Sequence, residues 1–229
     1  RAVDTGRSPA PEILGGTLWD HFDAHPEEAL HFSRAMGEQS ARAADDVAAV
    51  VDATSYSRVV DVGGAHGDLL AAVLAQAPDA TGVVFDRPLV IEQARQDLAD
   101  SPLASRLELV GGDFFDNVPA GDLYLLKWIL HDWDDEQARQ ILATIGRAAP
   151  PGARLMVVEM LLPDPWAPSP VHLFDLSMMV LLGSRERTEG EYEALLAASG
   201  WALEKVTPTS GLFNVLQAVA ITDTDASTA

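Results

Sequence analysis

Short apolar runs alternate with longer amphipathic stretches along most of this chain, and no other feature constrains its fold so tightly. Val59-Val60-Asp61-Val62, Gly82-Val83-Val84-Phe85, Leu107-Glu108-Leu109-Val110 and residues 122–129 and 154–160 read as strands. Helical patterns fall at 68–77, 88–100, 134–148, 171–182 and 188–199. Repeated β-α units demand a parallel sheet covered by helices on both faces, because each crossover is right-handed and must hide one side. The last two strands, 201–206 and 213–221, are joined by a turn at 208–211. That connection is too short for a parallel crossover, so this pair must be antiparallel.

Local punctuation supports these boundaries. Pro78 stops the first helix, and Thr188 followed by Glu191 forms a capping box ahead of a helix that Gly200 ends. Upstream, residues 1–14 are polar, contain Pro9 and Pro11, and read as a linker. Residues 17–52 read as one short and one long helix, with Pro26 in a first helical turn where its missing N–H is no loss. The polar tail, 222–229, is expected to fray. Three parts result: lead-in helices over 1–52, an α/β domain over 53–221, and the tail.

Composition excludes several classes. Among 229 residues, 15 are basic and 35 acidic, a formal charge of −20 that repels phosphate backbones and argues against nucleic acid as a partner. Absence of cysteine removes disulfides and thiolate chemistry together. No long uncharged apolar run spans a bilayer, and no basic segment followed by an apolar stretch opens the sequence, so a cytoplasmic setting and a small-molecule ligand are expected. Only two lysines occur, Lys127 and Lys205, and Lys127 lies inside an apolar strand. Such a placement invites a reason.

The turn after the first strand, Gly63-Gly64-Ala65-His66-Gly67, lets backbone approach a ligand closely. It does not match the G-x-G-x-x-G pyrophosphate fingerprint, and with Asp61 ending the strand it suits a ligand carrying a cationic centre. A tight strand-helix turn without a ligand is the lesser alternative. Asp86 ends the second strand, where an acidic residue accepts from ribose hydroxyls or caps a helix. Asp113-Phe114 offers an acceptor and an aromatic wall for an adenine, or merely an Asx-turn.

The run Leu125-Leu126-Lys127-Trp128-Ile129-Leu130-His131-Asp132-Trp133-Asp134-Asp135-Glu136 joins these pieces. It resembles the hallmark of the S-adenosylmethionine-dependent O-methyltransferases of phenols and related small molecules, the plant caffeate and flavonoid enzymes and their bacterial antibiotic-tailoring relatives. Residues 59–67, Gly112-Asp113-Phe114-Phe115, Val157-Val158-Glu159 and Arg185-Glu186-Arg187-Thr188 match further motifs in family order. The resemblance covers roughly 19–219. It implies a class I methyltransferase, Rossmann-like sheet, mostly parallel with an antiparallel C-terminal hairpin and preceded by linker helices. It implies that Asp61, Gly63, Gly64, Asp86, Asp113, Phe114 and Lys127 hold S-adenosyl-L-methionine, released as S-adenosyl-L-homocysteine. His131 matches the family's general base, and Glu159 and Glu186 the two carboxylates that bracket it. Trp128, Asp132 and Met178 fall where the family lines the acceptor pocket, and no metal is implied. Family members also carry an N-terminal helical domain that dimerises and closes that pocket, so residues 1–52 are expected to lead in from such a domain, with a homodimer for the full-length protein. Ala65 stands where the family's loop has a glycine, a change tolerated at negative φ.

The chemistry explains why these residue types are needed. In-line displacement requires acceptor oxygen, methyl carbon and sulfur to be collinear, so positioning comes first. A phenol of pKa about 10 is mostly protonated at neutral pH, and a histidine can take its proton as the bond forms. A carboxylate on one ring nitrogen fixes the tautomer, and Glu159, ending a neighbouring strand, is placed to supply it. Without the other motifs, residue patterns favour reading His131 as a residue entering a helix capped by Asp132 or Asp134. Three activities compete: O-methylation of an aromatic secondary metabolite, possession of the donor site with a non-methylating activity (hydroxylation, decarboxylation or binding alone), and nucleotide-dependent oxidoreduction. The missing pyrophosphate fingerprint disfavours the last.

Overall fold

The computed structural model describes residues 2–5, 7–165 and 167–221; the expected frayed tail lies outside the described residues. Four helices come first: α1 (Ala2–Thr5), α2 (Ala10–Leu14), α3 (Leu18–Ala24) and α4 (Pro26–Ala48). The stretch expected as a plain linker thus carries two short helices, the second started by Pro11 and closed by Gly15 at φ +83°. Thr17 caps α3 through a reciprocal bond with Asp20, and Pro26 opens α4.

The remainder follows the alternation. It runs β1 (Arg58–Val62), α5 (Asp68–Gln76), β2 (Thr81–Asp86), α6 (Pro88–Asp97), β3 (Leu107–Gly111), β4 (Leu123–Lys127), α7 (Asp135–Ala148), β5 (Arg154–Met160), α8 (Val171–Leu181), α9 (Glu189–Ala197), β6 (Trp201–Pro208) and β7 (Phe213–Ala220). The strands form one seven-stranded sheet in the order β3-β2-β1-β4-β5-β7-β6. β7 runs antiparallel to both β5 and β6, and the other pairs are parallel. This is the mostly parallel sheet with an antiparallel C-terminal hairpin that the connection lengths require. Among the described residues no helix is long and apolar enough to cross a membrane.

Two apolar layers cover the sheet, and the strand period of two sorts residues between them. Val59, Val84, Leu123, Leu125 and Val158 face the layer containing Leu70 and Val73 of α5. Val60, Val62, Tyr124, Leu126 and Val157 face the layer containing Ile141 of α7 and Leu196 of α9. That parity fixes the polar residues at the strand ends. Asp61 and Lys127 continue the first face, and Glu159 continues the second.

One boundary departs from expectation. β4 stops at Lys127 rather than continuing to Ile129, because Trp128 adopts φ +55° and turns the chain. The Trp128 N–H still reaches the Val158 carbonyl at 3.1 Å before a 3-10 turn, Leu130–Asp132, begins. Asp134, not Asp132, caps the following helix, accepting from Gln137 N–H at 2.9 Å.

Candidate active site

The carboxyl ends of β1, β2, β4 and β5 converge with the turns that follow them, as open α/β sheets place their ligand sites. At the β1 turn, Gly63 adopts φ +74°, and a Cβ there would overlap the Ile129 side chain. At Gly64 a Cβ would lie 2.9 Å from Asp61 Cγ, so both positions need glycine. Ala65 has φ +47°. The negative φ expected for it is therefore corrected: the alanine is held in the left-handed region by Gly67 N–H bonding Gly64 O at 2.7 Å and by its own N–H donating to Asp86 Oδ2 at 2.9 Å.

Asp61 is 2% exposed and its Oδ2 has no hydrogen-bond partner. Burial drives its pKa up to about 7, against the pull of Lys127. Lys127 shares its face and is buried, with Nζ donating to Ser40 Oγ on α4 at 2.8 Å and lying 4.8 Å and 5.1 Å from the ring centres of Trp128 and Phe213. Burial lowers its pKa to about 8 although Asp61 and Glu159 oppose this. Asp86 receives Arg87 N–H at 2.7 Å as well as Ala65 N–H, and burial raises its pKa. Asp113 is exposed and accepts from Phe115 N–H at 2.8 Å, the Asx-turn geometry. Phe114 is half-buried with its ring edge-on to Trp133 at 5.9 Å.

The Leu130–Asp132 turn carries His131, which is 6% exposed. Its Nδ1 lies 2.9 Å from Glu186 Oε1 and its Nε2 3.3 Å from Asp132 Oδ1. The ring is parallel to that of Trp128, 5.9 Å away at an interplanar angle of 6°. Glu159 does not take a ring nitrogen, contrary to expectation. Its Oε1 accepts the N–H groups of Ile129 and Leu130 at 3.2 and 3.0 Å, because β5 ends directly beneath that turn. Glu186 holds the ring instead, arriving on the segment before α9 with its own N–H bonded to Asp175 Oδ1 at 3.0 Å.

Burial disfavours the imidazolium, but the charges of Glu159, Asp132 and Glu186 and the Glu186 hydrogen bond outweigh it and raise the His131 pKa to about 9. Burial likewise raises Glu159 to about 7 and Asp132 to about 6, each restrained by His131. Ligating atoms of His131, Glu159 and Glu186 lie within 4.8 Å of one another, so this trio is also a donor set of the size a divalent cation accepts.

Asp132 reaches a cavity of about 120 Å³ lined also by Trp19, Trp133, Leu181, Leu182 and Gly183. Met178 sits half-buried on α8, its carbonyl accepting from Leu182 and Gly183 at this rim. Sequence reasoning missed Trp133 and Trp19, whose rings stack 5.8 Å apart and tie α3 to the His131 turn. The apolar spacing of Trp19 and Phe22 announced a helix face but not its partner.

The family model described as the O-methyltransferase domain matches residues 1–202. The phenazine O-methyltransferase of Lysobacter antibioticus is 39% identical over 217 residues, covering 94% of this chain and 64% of that protein. The mitomycin biosynthesis 6-O-methyltransferase of Streptomyces lavendulae is 40% identical, covering 90% of this chain and 59% of its own. The chain therefore spans about 60% of the length of these curated relatives. A solved O-methyltransferase from neocarzinostatin biosynthesis, in complex with S-adenosylmethionine and 2-hydroxy-5-methyl naphthoic acid, superposes with a TM-score of 0.87 at 30% identity, over 96% of this chain and 66% of that one. By its sheet order, its glycine turn and this breadth of likeness, the chain belongs to the O-methyltransferase domain family.

Proposed function

We propose that the protein transfers the methyl group of S-adenosyl-L-methionine to a hydroxyl of an aromatic small molecule, with His131 as general base. One observation carries this reading: a buried imidazole whose Nδ1 is held by Glu186 while Nε2 faces the cavity-lining Asp132. When bound, the donor supplies an electrophilic methyl carbon on a sulfonium. The residues present fit it. Asp61 Oδ2 is a buried, unpartnered acceptor beside a turn that has no room for side chains at Gly63 and Gly64. Asp61, Gly63, Gly64 and Lys127 would hold the amino-acid end, Asp86 the ribose, and Asp113 and Phe114 the adenine. Trp128, Asp132 and Met178 would line the acceptor pocket.

His131 removes the hydroxyl proton at Nε2. An ordinary histidine of pKa 6.5 lies about 3.5 units below a phenol, a mismatch of ~4.8 kcal/mol. Raised to about 9, His131 lies about one unit below it, and most of the mismatch disappears. The carboxylates around the ring thus set its basicity near that of its target. Glu186 keeps Nδ1 protonated, so the lone pair of the neutral ring is on Nε2. Glu159 holds the Ile129 and Leu130 N–H groups and so the turn beneath the ring. The reading needs no metal on His131, Glu159 and Glu186, and activity is expected to survive a chelator. We extend the proposal to a homodimer in the cytoplasm, to residues 1–52 as the approach from an N-terminal dimerisation domain, and to 53–221 as the catalytic domain.

The test uses the full-length protein, methyl-labelled donor and phenolic acids such as 3-amino-4-hydroxybenzoate and 1,4-dihydroxy-2-naphthoic acid, the acceptor of a related Streptomyces cremeus enzyme and a ligand bound by a related O-methyltransferase. Methylated product is expected, and His131→Ala should slow the transfer by ~10²–10⁴-fold. An unchanged rate ends the assignment of His131, and calorimetry without any binding of S-adenosylhomocysteine ends the proposal as a whole.

A further inference from the structure

Arg187 is 1% exposed, lies next to Glu186, and has no part in the chemistry derived above. Its Nη1 donates to the Leu130 carbonyl at 2.7 Å and its Nη2 to the Trp133 carbonyl at 2.8 Å. Nε and Nη2 reach Asp135 Oδ1 at 3.0 and 2.8 Å. The two carbonyls are those immediately before and after the His131-Asp132 pair. The Arg187 main chain is itself anchored, its carbonyl accepting from Leu162 N–H at 2.9 Å and its residue bridging to Leu161 just beyond β5. Successive side chains on an extended segment point to opposite sides. Glu186 therefore meets the imidazole ring while Arg187 meets the turn that carries it, with the guanidinium 5.8 Å from the Tyr192 ring centre.

We propose that Arg187 is a positioning residue for methyl transfer, clamping both ends of the turn that presents His131 while Glu186 holds the ring. The inference rests on the reading of His131 as the base. Its physical content is the planar fork of the guanidinium, which spans two carbonyls and a carboxylate at once; a lysine ammonium has one nitrogen and cannot. Without the fork, the buried Leu130 carbonyl and the part-buried Trp133 carbonyl each lose a donor and the turn relaxes towards other partners. The ring then leaves its place among Glu159 from β5, Asp132 in its own turn and Glu186 from the segment before α9.

The experiment compares the full-length parent protein, Arg187→Lys, His131→Gln and the double variant. Ring resonances of His131 are identified by their absence from His131→Gln and titrated by NMR, a readout that requires no acceptor. The His131 midpoint is expected to fall in Arg187→Lys by about one unit or more towards its ordinary value. Transfer to 1,4-dihydroxy-2-naphthoic acid should slow by ~10–100-fold in kcat, the donor KM changing less than about twofold. Because Arg187 acts through His131, the double variant should be no slower than His131→Gln alone. An unchanged midpoint in folded Arg187→Lys, or rate losses that add in the double variant, overturns the proposal. Should Arg187→Lys fail to fold, Asp135→Asn replaces it, loosening the clamp from its half-exposed side. A midpoint shift in the same direction is then expected, with a ~3–10-fold loss in kcat, and an unchanged titration again overturns the proposal. An unimpaired His131→Gln defeats the base assignment, whereas an inactive His131→Gln beside a normal Arg187→Lys defeats only the clamp.

Discussion

Replacing His131 with glutamine should destabilise the protein in a strongly pH-dependent way, and the geometry gives both sign and size. The amide can still donate to Glu186, so shape and one hydrogen bond are retained while the cation is lost. Burial penalises the charged ring, but Glu159, Asp132 and Glu186 together raise its pKa to about 9 from 6.5. A folded-state pKa above the unfolded value means that the native state binds the proton more tightly. The resulting stability is complete below pH 6.5 and vanishes as pH rises through 9. Integrating the two titrations gives ~3 kcal/mol at pH 6, somewhat less at pH 7 and almost nothing at pH 10. Glu159, raised by burial to about 7, takes up a proton more readily once the cation is gone, which trims the loss at pH 7 to ~2 kcal/mol. Urea unfolding of parent and variant at pH 6, 7, 8.5 and 10 measures the difference directly. A gap that stays constant over this range, or widens with pH, would show that the carboxylates do not hold a proton on this ring.

The same pKa predicts that kcat/KM rises about tenfold per pH unit below about 9, because the base must be neutral in the free enzyme; a profile flat from pH 6 to 9 contradicts this. Ala65→Gly relieves a left-handed alanine at φ +47°, worth ~1–2 kcal/mol, against ~0.5–1 kcal/mol of added unfolded-state freedom. A gain of roughly 0.5 kcal/mol in urea unfolding is expected, and a loss refutes the strain. Lys127→Met strips the cation from buried Asp61, whose pKa burial has already raised to about 7 against the pull of Lys127. The variant should lose more stability at pH 8 than at pH 5.5, where Asp61 is neutral; an equal loss at both values counts against this charge coupling.

Much of this architecture was legible because it rests on short-range rules. The capping box of Thr188 and Glu191 and the antiparallel closing pair each follow from a few neighbouring residues. The period of two also decided which side Lys127 would take, since Leu123 and Leu125 share its face. The candidate site was legible only as a set of positions. The family resemblance marked His131, Glu159 and Glu186, yet the reading of strand ends gave the ring nitrogen to Glu159, whereas Glu186 holds it.

The glycine turn illustrates the division at a single residue: composition told that backbone must come close there, but Ala65 took its positive φ from the Gly67–Gly64 bond that closes the turn around it and from its own bond to Asp86. Arg187 went unmarked because an arginine in a polar segment reads as a solvated charge until the packing of β5, α7 and α9 is known. Sequence alone determined the alternation, the caps, the order of the motifs and the chemical types available, since those depend on residues a few positions apart. Tertiary structure decided which carboxylate meets the imidazole, what Lys127 reaches on α4 and what a buried guanidinium holds. Those partners lie 50 to 90 residues apart, with the spacings set by how far each helix crosses the sheet rather than by any pattern along the chain.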